Sequence, residues 1–356
     1  MFSNFFLKSF RILLLPFSLL YLAGIWVRNK LFDKKVLKSA EFGLPLICVG
    51  NLSVGGTGKS PMVEYLVTLL KDRFKVATLS RGYKRKTKGY ALAGEKTTAL
   101  EIGDEPMQFH TKFPEVPVAV GEERLVAIPQ LLHDRPETEA IILDDAFQHR
   151  SVKAGLNILL TDYNNLFTRD FYLPTGDLRD LKSSYRRTEI IVVTKCPRTL
   201  DVAEKQKLTK EINPQPGQHL FFTTIEYSRA YHILTRTEKR MDKEAEVLLV
   251  TGIANPRPLK KLLEENSYAY HMLQYADHHI FTIDDLRDIT KEFEKIKNKN
   301  KVILTTEKDA VRLLKFSEEL SQLPVYVVPV SHRFLFNEGE QFDTLVTDFI
   351  NNFKKD

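Results

Sequence analysis

The residues in this 356-residue chain whose types and spacing suit chemistry fall in five short clusters. NLSVGGTGKSP, residues 51–61, closes on Gly58-Lys59-Ser60. It fits the phosphate-loop pattern G-x-x-x-x-G-K-[ST] everywhere but at Ser53, where the pattern has glycine. In such a loop, backbone N–H groups and a helix N-terminus hold phosphate oxygens while the lysine reaches the outer phosphates. Ser53, Val54, Gly55, Gly56, Thr57, Gly58, Lys59 and Ser60 are the predicted cradle. Gly55, Gly56 and Gly58 are free to take positive φ in place of the missing first glycine. A nucleoside triphosphate brings a metal with it. Ser60 offers Mg²⁺ a hydroxyl ligand, and one of Asp144 and Asp145, the acid pair ending the apolar run of IILDDAFQHR, binds it directly or through water.

The remaining clusters suit the other half of a phosphoryl transfer. Arg81, second in SRGYKRKTKGY and at a strand end, is placed to neutralise charge on a moving phosphoryl group. Asp104 and Glu105 lie between Gly103 and Pro106 on a rigid turn, and Asp277-His278-His279 come much later in the chain. An alcohol acceptor needs a group that orients its hydroxyl and takes the proton late. A carboxylate from one domain and an imidazole from another would meet only in a closed cleft, which excludes water and suppresses hydrolysis. The cradle and its acids alone do not separate a kinase from a switch GTPase or a partner-regulated ATPase.

These side chains need a scaffold that gathers them at one edge. LPLICVGNLSVGGTGKSPMVEYLVTLLKDRF reads as strand, glycine loop and amphipathic helix. FKVATLS, EAIILDD, LNILLTD and EIIVVTK read as further strands alternating with helical segments, which implies a parallel sheet covered on both faces. Ligands bind such sheets at the carboxyl ends of the strands, where the loops above lie. The proline- and glycine-rich NPQPGQ at 213–218 suggests a boundary. Beyond it EVLLVTG, KVILTT and VYVVPV imply a smaller α/β domain closed by an amphipathic helix. The expected organisation is an N-terminal membrane-contact segment over 1–40, a phosphate-loop core over 41–217 and a smaller α/β domain over 218–356.

The net charge of +6 resides in residues 1–40, which hold seven basic side chains and one acid. The rest of the chain is neutral, so no nucleic-acid partner is expected. Between Arg11 and Arg28 run sixteen uncharged residues, ILLLPFSLLYLAGIWV. That is short of the ~20 apolar residues of a spanning helix and fits a helix lying in an anionic membrane surface. The two cysteines, Cys48 and Cys196, have no metal-ligand spacing and suggest buried thiols in a reducing compartment.

GNLSVGGTGKSP, SRGY, GDEP, LDDAFQH, LPTGDLRD, GIANP, DHH and TEKDAV occur here in the order seen in lipid A 4′-kinases, the tetraacyldisaccharide 4′-kinases. The resemblance extends from the N-terminal apolar helix to about residue 330, and in this family too a serine stands where the loop pattern has its first glycine. It departs from the family pattern at Ala146, where glycine is usual. The resemblance implies ATP- and Mg²⁺-dependent transfer of the γ-phosphate to the 4′-hydroxyl of a tetraacylated glucosamine disaccharide 1-phosphate, at the cytoplasmic face of the bacterial inner membrane. It implies that Asp104 is the acceptor-orienting base paired with His278, that Glu105 lies near the metal, and that Asp144 and Asp145 form the metal-side acid motif. No obligate protein partner is implied. Arg124, Arg179 and the run from Lys84 to Lys88 are candidates for sugar or 1-phosphate contacts. The alternative is a membrane-associated ATPase or GTPase switch acting through protein partners. Against it, the early loop residues Asn51-Leu52-Ser53-Val54 lack the extra lysine of partner-stimulated ATPases, and TEKD at 306–309 only loosely echoes the base-reading N-K-x-D of GTPases.

Overall fold

The computed structural model describes residues 11–240 and 243–353. The strand feeding the glycine loop, Leu46–Asn51, is central to a nine-stranded sheet. It lies parallel between Ala140–Asp144, which carries the acid pair, and Leu156–Asp162. Val76–Ser80 and then Val118–Val120 extend the sheet on the acid side, and Ile190–Thr194 extends it on the other, all parallel. Alternate residues of the central strand enter opposite cores: Leu46 and Cys48 one side, Ile47 and Val49 the other. Both cysteines are free and buried.

The helix after the loop, Lys59–Leu70, buries Met62, Val63, Leu66, Val67 and Leu70 on the sheet. Pro61 lies in its first turn, where a missing N–H costs no helical bond. The layered α/β core is therefore as expected from the alternation of strands and helices.

The expected boundary at residue 217 moves. His219–Tyr227, just past the proline-glycine break, pairs in parallel with Ile190–Thr194 and so belongs to the first sheet. The chain leaves after Tyr227, builds a six-stranded sheet between Ala230–His232 and Val325–Val328, and returns as Val330–Phe334, antiparallel to His219–Tyr227. The closing helix, Gly339–Asn351, buries Phe342, Val346 and Ile350 in the first core. The second unit is thus an insertion with two adjacent crossings. The break misleads because its proline and glycine serve the turn between helix Val202–Ile212 and a strand of the same sheet.

The N-terminal helix, Leu15–Asp33, reverses the usual arrangement. Its buried residues are Ser18 and Asn29. Ser18 Oγ donates to Thr175 Oγ1 at 2.7 Å, and Asn29 Nδ2 donates to Asp180 Oδ1 at 2.8 Å. Leu15, Phe17, Leu19, Leu20, Trp26 and Val27 are exposed. No described helix is long and apolar enough to cross a membrane. Of the expected membrane-contact segment, residues 1–10 lie outside the described residues.

Candidate active site

Ser53 fits because the loop opens as extended chain rather than as a tight turn. It forms a bridge with Leu178, flanked by hydrogen bonds from Val54 N to Asp177 O and from Arg179 N to Leu52 O, both 2.8 Å. Any residue adopts that backbone, and the LPTGDLRD segment supplies the support a glycine turn would otherwise make unnecessary. Left-handed backbone falls at Gly55 (φ +103°) and Gly58 (φ +88°); Gly56, expected to share it, does not. The loop's carbonyls are tied on its outer side. Lys195 donates to Gly56 O, Thr194 Oγ1 to Thr57 O at 2.8 Å, and His332 Nε2 to Gly58 O at 2.8 Å. Burial holds His332 neutral, its value down to about 4 even with the Gly58 carbonyl favouring the charged form. Its Nε2 therefore carries the hydrogen and its Nδ1 accepts from Thr223 Oγ1 at 2.9 Å.

Lys59 opens the helix and lies 3.7 Å from Asp145 Oδ1. Burial lowers the lysine's value, and Asp145 opposes that. Asp145 takes a left-handed backbone (φ +49°) and accepts the Arg179 guanidinium on both oxygens. Burial pushes its carboxyl up, but Lys59 and Arg179 outweigh it and keep the value below the ordinary range. The turn beyond it packs so closely that a Cβ on Gly50 would stand 2.5 Å from that of Phe147, which requires glycine there.

Asp144 differs from its neighbour. It is buried, Ser80 Oγ donates to its Oδ2 at 3.3 Å, and its Oδ1 has no partner. Burial, with the charges of Asp145 and Glu105, pushes it up to about 6 against Lys59 and Arg124. An orphaned buried carboxylate oxygen with two further acids nearby fits a cation. Among the described residues no three His, Cys, Asp or Glu side chains form a preassembled metal cage. The donor set therefore suits an ion that takes further oxygens from a nucleotide. Ser60 stands half-buried beside Lys59 on the same first turn.

Asp104, the first residue of helix Asp104–Lys112, meets His278 across the cleft with Oδ2 2.7 Å from Nδ1. The adjacent His279 instead contacts Asp285 at 2.9 Å and stacks on Tyr275 within the inserted unit. GIANP and TEKDAV position His278. Its backbone N–H donates to Gly252 O, and Gly252 N–H donates in turn to Asp309, whose fully buried carboxylate also accepts from Thr251 and Thr306. Asp309 is thus an internal hub, not a base reader.

Two cations that the motif reading passed over complete the contact. Lys308 Nζ donates to Glu105 Oε1 at 2.7 Å. Arg312 Nε and Nη2 donate to the two oxygens of Asp104 at 3.0 and 2.7 Å. Burial pushes both acids up, but the lysine and the guanidinium outweigh it and hold them below their ordinary values. The available signal was the i, i+4 spacing of Lys308 and Arg312 on helix Glu307–Leu313, which puts both on one face.

Arg81 is exposed and makes no ion pair with a described residue. Its charge, after burial and Arg124, helps hold His149 down to about 4. Gln148 Nε2 donates to Asn51 O at 2.8 Å and braces the loop's entry. Of the candidate substrate contacts, Arg124 is 1% exposed and donates to Gly121 O and Asp144 O, so it buttresses the acid strand. Arg179 is engaged by Asp145. Arg85, inside the basic run, pairs with Glu122 at 2.7 Å and leaves the other members of that run exposed.

A glycine loop before a helix-borne lysine, acids ending the neighbouring strand and a carboxylate–imidazole pair closed by an inserted unit define a phosphate-loop kinase with an alcohol acceptor. A family model described as Tetraacyldisaccharide-1-P 4′-kinase matches residues 10–351. The chain is 44% identical over 352 residues to the tetraacyldisaccharide 4′-kinase of Bacteroides thetaiotaomicron, covering 95% of this chain and 92% of that one. It is 45% identical over 343 residues to that of Flavobacterium johnsoniae, covering 96% and 97%. The crystal structure of LpxK from Aquifex aeolicus in complex with ATP is 30% identical and superposes with a TM-score of 0.75 over 96% of this chain and 99% of that one. The chain belongs to the tetraacyldisaccharide 4′-kinase family and is an ATP-dependent kinase of lipid A assembly. The switch alternative is not favoured.

Proposed function

We propose that the enzyme works on the cytoplasmic face of the inner membrane, seated by its N-terminal helix, and that the dyad of Asp104 and His278 receives the acceptor's proton. The reading of the dyad is carried by the 2.7 Å contact between these two side chains, one from each unit. The 4′-oxygen of the glucosamine disaccharide 1-phosphate forms the new bond to the γ-phosphorus. The bond from that phosphorus to the β–γ bridging oxygen breaks to release ADP, and the hydroxyl proton passes to the dyad.

Loop amides from Ser53 to Ser60 hold the β- and γ-phosphates, with Lys59 drawn to the outer oxygens and Asp145 and Arg179 fixing its approach. Arg81 faces the transferring group from the strand end. Ser60 and Asp144, with Glu105 nearby, would hold Mg²⁺; the free Asp144 oxygen supports this. A bound magnesium ion neutralises charge on the phosphate oxygens. Closure of the insertion over the loop excludes water, so that transfer outcompetes hydrolysis.

The test is phosphate transfer from labelled ATP to the disaccharide 1-phosphate lipid. Asp104→Ala is expected to lower transfer roughly a hundredfold or more while ATP affinity is kept. Wild-type turnover in that variant removes Asp104 from the mechanism.

A further inference from the structure

We infer that Arg312 is a positioning residue for the transfer reaction, fixing the Asp104 carboxylate so that the proton is taken by His278 Nε2. The inference rests on the dyad reading above and deepens it.

Arg312 belongs to the inserted unit and Asp104 to the first. Arg312 is almost wholly buried, and its Nη1 is held by Asp309 Oδ1 at 3.3 Å. Anchored there, the planar guanidinium presents Nε and Nη2 to the two oxygens of Asp104, a fork that sets the carboxylate plane as well as its charge. A lysine would supply the charge without the plane.

The Asp104 carboxylate, held by the fork, decides the histidine's tautomer. Arg312 Nη2 stands 3.3 Å from His278 Nδ1, and a guanidinium has only donors. The carboxylate can only accept and is the nearer partner, 2.7 Å from Nδ1, so Nδ1 carries its hydrogen and donates to Asp104 Oδ2, the same oxygen to which Nη2 donates. The neutral ring then has its lone pair at Nε2. The carboxylate, already accepting from Arg312 at both oxygens and from His278 at one, is the weaker proton acceptor. In the transfer step the 4′-O–H gives its proton to Nε2 as the oxygen–phosphorus bond forms and the γ-phosphorus–bridging-oxygen bond breaks. The resulting imidazolium is stabilised by Asp104 and releases its proton to solvent after ADP and the phosphorylated lipid form. Because Arg312 arrives with the insertion, the pair is correctly oriented only when the two units are seated together.

The experiment compares wild type, Asp104→Ala, His278→Ala, Arg312→Ala and Arg312→Lys for lipid phosphorylation, ATP affinity and thermal melting. Arg312→Ala is expected to lower kcat roughly a hundredfold, the scale of a misplaced reacting group, while ATP affinity stays within about twofold. Added guanidinium should raise its rate and leave wild type unchanged. Arg312→Lys should fall at least about tenfold despite its charge. Wild-type kcat in Arg312→Ala, full activity in Arg312→Lys, or lost ATP binding with no response to guanidinium overturns the inference. If Asp104→Ala and His278→Ala also transfer phosphate normally, the dyad reading itself fails. If they collapse while Arg312→Ala does not, only the role given to Arg312 fails.

Discussion

Replacing Phe17, Leu20 and Val27 together by glutamine is expected to release the enzyme from lipid without unfolding it. The three lie on one face of helix Leu15–Asp33, and they are 62%, 72% and 48% exposed. The opposite face is pinned by Ser18 and Asn29, whose bonds to Thr175 and Asp180 hold the helix to the core with its apolar side outward. A buried aliphatic or aromatic side chain of this size contributes about 1.5–3 kcal/mol. With half to three-quarters of each side chain available, the three together supply about 4 kcal/mol on insertion, roughly a thousandfold in partitioning. Glutamine keeps the helix propensity, so the fold is not the variable.

The assay is sedimentation with vesicles containing anionic lipid, alongside thermal melting and transfer to substrate dispersed in detergent. At high salt the triple variant should remain in the supernatant while wild type still sediments, and it should melt with wild type and keep its activity in micelles. A salt-sensitive residue of binding is expected from Lys30, Lys34, Lys35 and Lys38, at about 1 kcal/mol each near an anionic surface. Undiminished sedimentation refutes the reasoning. So does a large fall in melting temperature, because it would mean that these side chains pack against protein.

Two further outcomes follow from the loop and the domain contact. Gly58→Ala places a Cβ 3.0 Å from the His332 ring at φ +88° and should weaken ATP binding by roughly tenfold or more, whereas Gly94→Ala, outside the loop and with nothing within 4 Å, should bind normally; equal affinities in an ATP titration would contradict this. Glu64, buried beside Lys112 and Glu307, is pushed up to about 7 by burial and by Glu307 against the pull of Lys112. The folded chain therefore holds a proton that the unfolded chain has lost above its ordinary value of 4.5, so stability declines as pH rises from there to about 7 and levels off beyond. Glu64→Gln should flatten that decline, and melting curves that stay parallel to wild type between about pH 5 and 8 would rule it out.

What the sequence made legible follows from how local each cause is. The glycine loop and its helix were readable because the motif, the apolar stripe and Pro61 act within a dozen residues. The pairing of Asp104 with His278 was readable only through resemblance, since 174 positions separate them. Arg312 was missed because nothing in its neighbourhood reports a partner in the other unit. The domain boundary failed for a related reason. His219–Tyr227 joins the first sheet through hydrogen bonds to Ile190–Thr194, and no composition change marks which sheet a strand will enter. Ser53 looked like a defect because the pattern records residue types. The bridge to Leu178 that makes the serine acceptable is a long-range contact.

The insertion explains why the charges around the proposed dyad are divided as they are. Asp104 and Glu105 begin a helix of the first unit, and the cations that hold them, Lys308 and Arg312, share one face of a helix in the second. At the far end of the same helix pair the signs reverse, with Lys112 on the first unit meeting Glu307 on the second. A helix pair matched in this alternating order favours one register, because a slip of one turn would bring like charges together. That register is the one that sets His278 against Asp104. A nucleotide alone, bound at the loop with the insertion displaced, would find neither the imidazole nor the oriented carboxylate. The proposed dyad is therefore complete only in the seated arrangement, because the ion pairs that join the two units are the ones that hold the Asp104 carboxylate beside the imidazole.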